Sequence, residues 1–509
     1  MSIQQCIVAA SVFAQFFLTV AQAQDTPPTI AAVDDATIND AGLRKSVVSI
    51  SVKQELRLPS TPWKRESPQS FGGSGVVVAA GRILTNAHVV EQASEILIES
   101  QQTKLPLVAE LIALDTTRDL ALLEIVDADF VRLHPPIALL QGLPREGSRV
   151  TVMGFPMGGE ALSTTSGVIS RIEWAEIGRH DEDGMRVQVD AAINFGNSGG
   201  PAFVDGKIAG LAFSGVEKAM ADNIAYLLAT EEISRFLDEV AKGDIDGNTL
   251  ISLSGQSLEN SALRAKLGVS ADIAGIVVNT VRGGPLEPWD ILTKLNGYDL
   301  DNKGQILIEG DRKVSLGCAI GRFVASETVN TIPAEIIREG KPMHVEIPTF
   351  AQNLGVVRRY PDGNFPYVVY GPLVFSPLHQ DLVEETGLWM VMQESPITPY
   401  LNDDRPSNGR EFIAIASQLL SSPIGRGYDV DPGQTVKSVN GRIPQNFRDF
   451  VKLLRDVQGE FVVIEFNENR CDRIVFRRAE VDAVTEKIMD SNGIRHASSS
   501  DVRDLLEKK

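Results

Sequence analysis

Cysteine is almost missing from this chain: its 509 residues contain three, Cys6, Cys318 and Cys471. So few thiols cannot build a disulfide framework, and each folded unit must be held by an apolar core. Cys318 and Cys471 either pair with each other or are simply buried. Histidine is scarce as well. The six, His88, His134, His180, His344, His379 and His496, show no short His/Cys/Asp spacing of the kind that holds zinc, so no catalytic metal or other cofactor is expected. Positive charge is outweighed, with 48 Lys+Arg against 67 Asp+Glu and a net charge of -19. Such a chain is a poor partner for nucleic-acid phosphates and for an anionic membrane surface, and its charge favours solubility. No Gly-x4-Gly-Lys-Ser/Thr loop opens a candidate helix, in keeping with work that needs no nucleotide. After residue 23 there is no run of about 18 apolar residues, so stable membrane insertion of the mature chain is not expected.

An uncharged apolar run does occur at the start, from Cys6 to Ala21, followed by Gln22-Ala23 and then Gln24-Asp25. It reads as a signal peptide over 1–23, cleaved after Ala23, which places the mature protein in a periplasm or outside the cell. Met1 to Gln5 lacks the usual Lys or Arg, and retention as an uncleaved anchor is the alternative. Residues 24–43 read as a linker. The hydrophobic share of 43% and charged share of 23% are those of ordinary globular proteins, and the length suits about three domains.

Residues 44–240 read as many short strands between Gly-rich turns, the pattern of an all-β barrel or sandwich. The spacing predicts strands over Ser74 to Ala80, Ile83 to Thr85, Glu95 to Ile98, Leu120 to Ile125, Arg149 to Met153, Gly167 to Ile172 and Met185 to Val189. Asp205-Gly206 predicts a two-residue hairpin turn, because both positions suit positive φ. Glu231 to Val240 reads as a closing helix. After the Gly/Asp-rich stretch Gly243 to Gly247 the character becomes mixed α/β, with a weak internal repeat: Leu295-Asn296-Gly297 with Asn302, and Val439-Asn440-Gly441 with Asn446. Phe447, Phe450, Val451 and Leu454 form one apolar helix face, expected in a core. Ser498 to Lys509 is polar and reads as a loosely held helix.

The sharpest chemical signal is Gly196-Asn197-Ser198-Gly199-Gly200-Pro201. A hydroxyl flanked by glycines suits a nucleophile that a carbonyl must approach closely, and the tight turn Gly196, Asn197, Ser198 can aim backbone N–H groups at one spot as an oxyanion hole, the Gly196 and Ser198 amides being its natural donors. Taken alone, the run is also an ordinary Gly/Ser/Asn turn. His88 follows an apolar strand within Leu84-Thr85-Asn86-Ala87-His88-Val89-Val90, where a lone histidine is usually structural. Asp119 opens the apolar strand Leu120-Ala121-Leu122-Leu123. It is either a buried acid that orients an imidazole or a turn former. Together, in the order His, Asp, Ser, the three are far more specific than singly.

Thr85-Asn86-Ala87-His88, Asp119-Leu120-Ala121-Leu122 and Gly196-Asn197-Ser198-Gly199-Gly200-Pro201 resemble the motifs of the Deg/HtrA proteases. Val189-Asp190-Ala191-Ala192-Ile193-Asn194, Asn223-Ile224-Ala225-Tyr226 and the stretch Gln256 to Arg264 are similar to the plant-type members. The resemblance implies a multidomain chain: an all-β chymotrypsin-like double β-barrel protease domain over 44–240, then two mixed α/β PDZ-like domains over 248–348 and 353–485, the second degenerate, and a tail over 486–509. It implies a serine endopeptidase with Ser198 as nucleophile, His88 as general base and then acid, and Asp119 as the group that orients His88. Ala192 and Ile193, with Ala212, Phe213 and Ser214, would line the pocket for the side chain before the scissile bond. With nothing acidic at Ala192 or Ile193, small or medium apolar side chains are expected there. Leu250-Ile251-Ser252-Leu253 stands where a PDZ domain would bind a peptide end, but without the usual glycine. Family likeness implies a homotrimer or a multiple of one, acting without ATP on unfolded or damaged proteins. A chaperone or peptide-binding scaffold with gated or minor proteolysis is the alternative, and a regulatory protease with a single substrate is a third reading.

Overall fold

The computed structural model describes residues 40–506 apart from 157–160, 178–181, 214–223, 244–248, 252, 282–283, 310–311, 327–330, 352–356, 387–409 and 468–470. The expected signal peptide, Ser214 and Ser252 therefore lie outside the described residues. Among the described residues no helix is long and apolar enough to cross a membrane.

Among the described residues thirteen strands build the first part of the chain. Seven form one antiparallel sheet: β1 Val47–Gln54, β2 Gln69–Ala79, β3 Arg82–Thr85, β4 Ala93–Glu99, β5 Leu107–Val108, β6 Glu110–Asp115 and β7 Leu120–Glu124, in the order β5-β4-β1-β2-β3-β7-β6. Six close a barrel: β8 Arg149–Gly154, β9 Ser163–Ile177, β10 Glu182–Val189, β11 Pro201–Val204, β12 Lys207–Phe213 and β13 Ala225–Ala229. The Asp205-Gly206 turn between β11 and β12 has φ of 50° and 77°, the mirror-image turn that suits the strand twist. The helix Thr230–Lys242 follows and ends on Gly243 in the left-handed region, φ 73°. Strands β3, β7, β8, β10, β12 and β13 send Leu84, Leu120, Val150, Val187, Leu211 and Leu227 inside with almost no exposure. Each such aliphatic side chain contributes about 1.5–3 kcal/mol.

Beneath the first sheet, His134 is buried at the end of the helix Ala128–Leu133 and stacks on Phe130 at 4.1 Å. Nδ1 lies 2.8 Å from the Phe130 carbonyl and must donate to it, so Nε2 accepts from Ser100 Oγ at 2.7 Å. Burial lowers the His134 pKa below the ordinary histidine value. As pH falls below about 6.5 the unfolded chain therefore takes up a proton that the folded chain refuses, and stability present above that pH is lost. Urea unfolding between pH 7.5 and 5.5 should show a decline that His134→Gln reduces. An unchanged pH slope in that variant would show that other groups carry the loss.

Two mixed α/β units follow. The first is the antiparallel sheet Leu253–Ser257, Ile276–Val281, Ile291–Leu295, Thr331–Arg338 and Lys341–Pro348, in that order, with the helices Ser261–Leu267 and Leu316–Ser326. From the second of these helices Arg322 Nε reaches Glu231 Oε2 at 2.9 Å, tying the unit to the helix Thr230–Lys242. The second unit has two three-stranded sheets, one with Leu373–Pro377 at its centre and one with Phe461–Phe466. The repeat noted in the sequence is one turn used twice: Asn296-Gly297 and Asn440-Gly441 all have φ between 47° and 80°. The likeness ends there, since Asn446 caps the helix Phe447–Arg455 through Asp449 N, whereas Asn302 accepts from Leu258 N and Arg264.

The tail corrects the sequence reading. The helix Arg478–Asn492 runs straight through residue 485, and Val502 and Leu505 of the helix Ser500–Leu506 are buried in the same core as Phe447, Phe450, Val451 and Leu454. Ser498 to Leu506 is packed structure, because its apolar pair fills the open side of the helix Phe447–Arg455. Cys471 is a free thiol, which removes its pairing with Cys318.

Between β1 and β2 the chain reaches out to the second unit. Ser60 donates through N and Oγ to Glu385 at 2.8 and 2.6 Å, and the Trp63 ring lies 6.1 Å from that of Tyr367. Arg57 N in the same excursion donates to Gln92 Oε1 at 3.1 Å, just beyond the helix that carries His88.

Candidate active site

His88 sits on the one-turn helix Ala87–Val90 directly after β3, and Asp119 on the turn that opens β7, the strand paired with β3. That pairing brings the two together. Asp119 Oδ1 accepts from the His88 main-chain N–H at 2.9 Å, and the His88 Nδ1 lies 2.9 and 2.8 Å from Oδ1 and Oδ2. A carboxylate only accepts, so Nδ1 carries the proton and Nε2 is left as the free base. The Asp119 side chain is 4% exposed and that of His88 17%. Asp119 holds φ 56°, a region short polar residues visit more readily than others. Asn86 Nδ2 secures it by donating to Asp119 O at 2.9 Å.

Ser198 lies in the turn between β10 and β11 and is buried, as are Asn197, Gly199 and Gly200. Its carbonyl accepts from Ser74 N of β2 at 2.8 Å, and a side chain on Gly73 would come 2.6 Å from Val89 of the His88 helix and 3.3 Å from Ser198 O. The Ser198 turn and the His88 helix therefore meet over Gly73, where the absence of a side chain permits the approach. Gly199 is fixed as glycine by φ 80° and by a Cβ position 2.2 Å from both Ser74 O and Thr85 Oγ1. Among the described residues Ser198 Oγ and His88 Nε2 carry no hydrogen bond.

The turn's amides divide into two groups. Asn197 N donates to Asn194 O at 3.0 Å, Gly199 N to Ala212 O at 2.8 Å and Gly200 N to Asn197 O at 2.9 Å. Among the described residues the amides of Gly196 and Ser198 have no acceptor. Of the three amides expected to form an oxyanion hole, that of Asn197 is taken up in closing the turn, which leaves those of Gly196 and Ser198.

Of the expected pocket residues, Ala192 is exposed while Ile193, Ala212 and Phe213 are buried in apolar cores. Ala212 serves through its backbone, with N on Gly200 O and O on Gly199 N, both 2.8 Å. Its side chain and that of Phe213 are packing rather than an open pocket lining. Of the expected peptide-end loop, Leu250 pairs in a short strand with Phe350 and Ile251 is buried. Sequence reasoning gave no role to Ser74, and quoted Thr85 and Asn86 only as part of the His88 motif, yet these polar residues hold the turn and Asp119. All three are fully buried, and for Ser74 the only signal was a polar residue among glycines and aliphatic residues of β2.

The trypsin-like peptidase domain model matches residues 73–211, and the PDZ domain model matches residues 357–501. The chain is 29% identical over 480 residues to the chloroplastic protease Do-like 2 of Arabidopsis thaliana, covering 92% of this chain and 77% of that protein. It is 28% identical over 476 residues to the mitochondrial putative protease Do-like 3 of the same plant, covering 92% and 82%. Among solved structures, the HtrA-type protease AlgW with a tripeptide aligns at 22% identity and TM-score 0.46, over 61% of this chain and 94% of that one. The chain thus carries a trypsin-like peptidase domain followed by a PDZ domain, is similar along most of its length to Do-like proteases of plants, and is a serine endopeptidase.

Proposed function

We propose that peptide bonds are cleaved by Ser198 as nucleophile, with His88 as general base and then acid, Asp119 as the group that fixes the imidazole, and the Gly196 and Ser198 amides as the oxyanion hole. What supports this is a single arrangement. A buried carboxylate holds the His88 proton on Nδ1, and among the described residues the amides of Gly196 and Ser198 have no acceptor. Nε2 takes the Ser198 hydroxyl proton as Oγ attacks the carbonyl carbon, then returns it to the leaving amine. The resulting acyl-enzyme is released by water in the reverse sense. The run Ala191 to Ile193 borders the substrate side chain before the scissile bond, favouring small or medium apolar residues. The unit over 248–348 serves as a first PDZ-like domain before the one at the C-terminus. The substrates are unfolded or damaged proteins met by a homotrimer, or a multiple of one, in a periplasm or outside the cell after cleavage behind Ala23.

The test is a fluorophosphonate probe on the purified chain, with casein cleavage followed in parallel. One adduct on the peptide containing Ser198, with cleavage lost in step with labelling, is the expected result. Labelling of another residue, or cleavage that survives complete labelling, would overturn it.

A further inference from the structure

Ser74 is a fully buried serine of β2 whose every hydrogen-bonding group is engaged. Its main-chain N–H donates to Ser198 O at 2.8 Å, and its carbonyl accepts from Thr85 Oγ1 at 2.7 Å. Its hydroxyl lies 2.7 Å from Gly196 O and 2.8 Å from Phe155 N. Chemistry sets the directions. The Phe155 amide can only donate, so the hydroxyl accepts there and its one proton goes to the Gly196 carbonyl.

This makes Ser74 a bracket around the nucleophile turn. Its Oγ holds the peptide unit between Gly196 and Asn197, and its N–H holds the one between Ser198 and Gly199. The unit in between carries the Ser198 amide, and Gly196 carries the other amide that lacks an acceptor. Gly196 has φ 94°, and glycine crosses between backbone basins at little cost, so its peptide needs an external latch. The slot that admits the hydroxyl is lined by glycine: a Cβ on Gly154 would come 2.9 Å from Ser74 Oγ, and one on Gly200 3.3 Å from Ser74 Cβ. The latch comes from the first sheet, whereas the turn joins β10 to β11 of the barrel and Phe155 directly follows β8.

We propose that Ser74 is a positioning residue of the reaction, its hydroxyl fixing the Gly196–Asn197 peptide so that the Gly196 and Ser198 amides converge on the developing oxyanion. The inference rests on the reading of Ser198 and its two neighbouring amides given above. Donors of this kind act only when aimed where charge develops in the transition state. A loosened hole should therefore lower turnover while leaving ground-state binding alone.

The experiment measures kcat and KM of the full chain on a fluorogenic peptide, and the inhibition constant of a peptide aldehyde of the same sequence, which forms a tetrahedral oxyanion on the nucleophile. Ser74→Ala is expected to lower kcat roughly 10–100-fold, less than outright loss of a hole donor. KM should stay within about twofold, and aldehyde affinity should fall by the same factor as kcat/KM. Ser74→Cys, similar in shape but a weak donor, should fall between the two. Wild-type kcat and aldehyde affinity in Ser74→Ala would overturn the proposal, as would a fall in kcat with aldehyde affinity unchanged. If the alanine variant does not fold, the cysteine variant is judged by the same two readouts. A Ser198→Ala chain run alongside separates the failures. If it still cleaves, the nucleophile reading falls and this one with it; if it is inactive while Ser74→Ala matches wild type, only the role of Ser74 falls.

Discussion

Asp119→Asn should lower kcat roughly ten-thousand-fold without unfolding the protein. The carboxylate accepts twice from one residue, from the His88 ring Nδ1–H and from the His88 main-chain N–H. Asparagine offers one oxygen and an NH2 group. The oxygen satisfies the main-chain donor, and the NH2 then faces Nδ1, which must become an acceptor. The imidazole proton moves to Nε2, the atom that has to take the Ser198 proton, and general-base catalysis is lost. Asparagine tolerates φ 56° as aspartate does, and the bond from Asn86 Nδ2 to the residue 119 carbonyl is unaffected, so the fold is spared. Ser198→Ala should cost more, on the order of a million-fold, and adding Asp119→Asn to it should cost almost nothing further, because the three residues act as one unit. Initial rates on one peptide for both single variants and the double variant decide the matter. Activity within tenfold of wild type in Asp119→Asn, or additive losses in the double variant, would sink the assigned roles.

The parts of this site legible in the sequence were those whose residue type is itself the signal. A serine among three glycines, a histidine after an apolar strand and an acid before one could be read without coordinates, as could the Asp205-Gly206 turn, because each depends on local chemistry. Strands were read where one face alternates or a run is short and apolar. β2 starts at Gln69 rather than Ser74 because its first four residues are all exposed, so no periodicity marked them. β9 extends to 15 residues, where only Gly167 to Ile172 had been read, since its pairing with both β8 and β10 stabilises a stretch with little apolar bias. β13, wholly buried, was missed because a five-residue apolar run is ambiguous by period alone. The latch at Ser74 and the bond from Asn86 to Asp119 join residues far apart in sequence, and nothing in a serine's neighbours says which carbonyl it will hold.

Arg118→Ala should be the most destabilising of the exchanges argued here, by about 3–5 kcal/mol. Arg118 immediately precedes Asp119 and is 2% exposed. Its Nε meets Asp115 Oδ2 at 2.5 Å, and its two terminal nitrogens grip the Glu239 carboxylate of the helix Thr230–Lys242. Asp115 Oδ1 also accepts from Thr117 N and Arg118 N, both at 3.0 Å. Burial works against the guanidinium charge, but Asp115 and Glu239 more than offset it and raise the Arg118 pKa. At Glu239 burial raises the pKa and outweighs the pull of Arg118. Removing Arg118 strands two carboxylates whose side chains are only 7% and 16% exposed, the situation in which a broken buried pair costs most. The pH dependence has a definite sign. With its folded value above the ordinary 4.5, Glu239 contributes stability that is present below 4.5 and lost as pH rises through the folded value. Without Arg118 that folded value climbs further, so the variant should lie nearest to wild type in acid and fall behind towards neutrality. Arg118→Met with Glu239→Gln removes charge on both sides and should recover part of the loss. Urea unfolding at pH 5 and pH 7.5 for the single and double variants measures this. A deficit below about 1 kcal/mol at both pH values would make the pair equivalent to one on the surface, and the turn that presents Asp119 would then owe its shape to Asp115 and Asn86 alone.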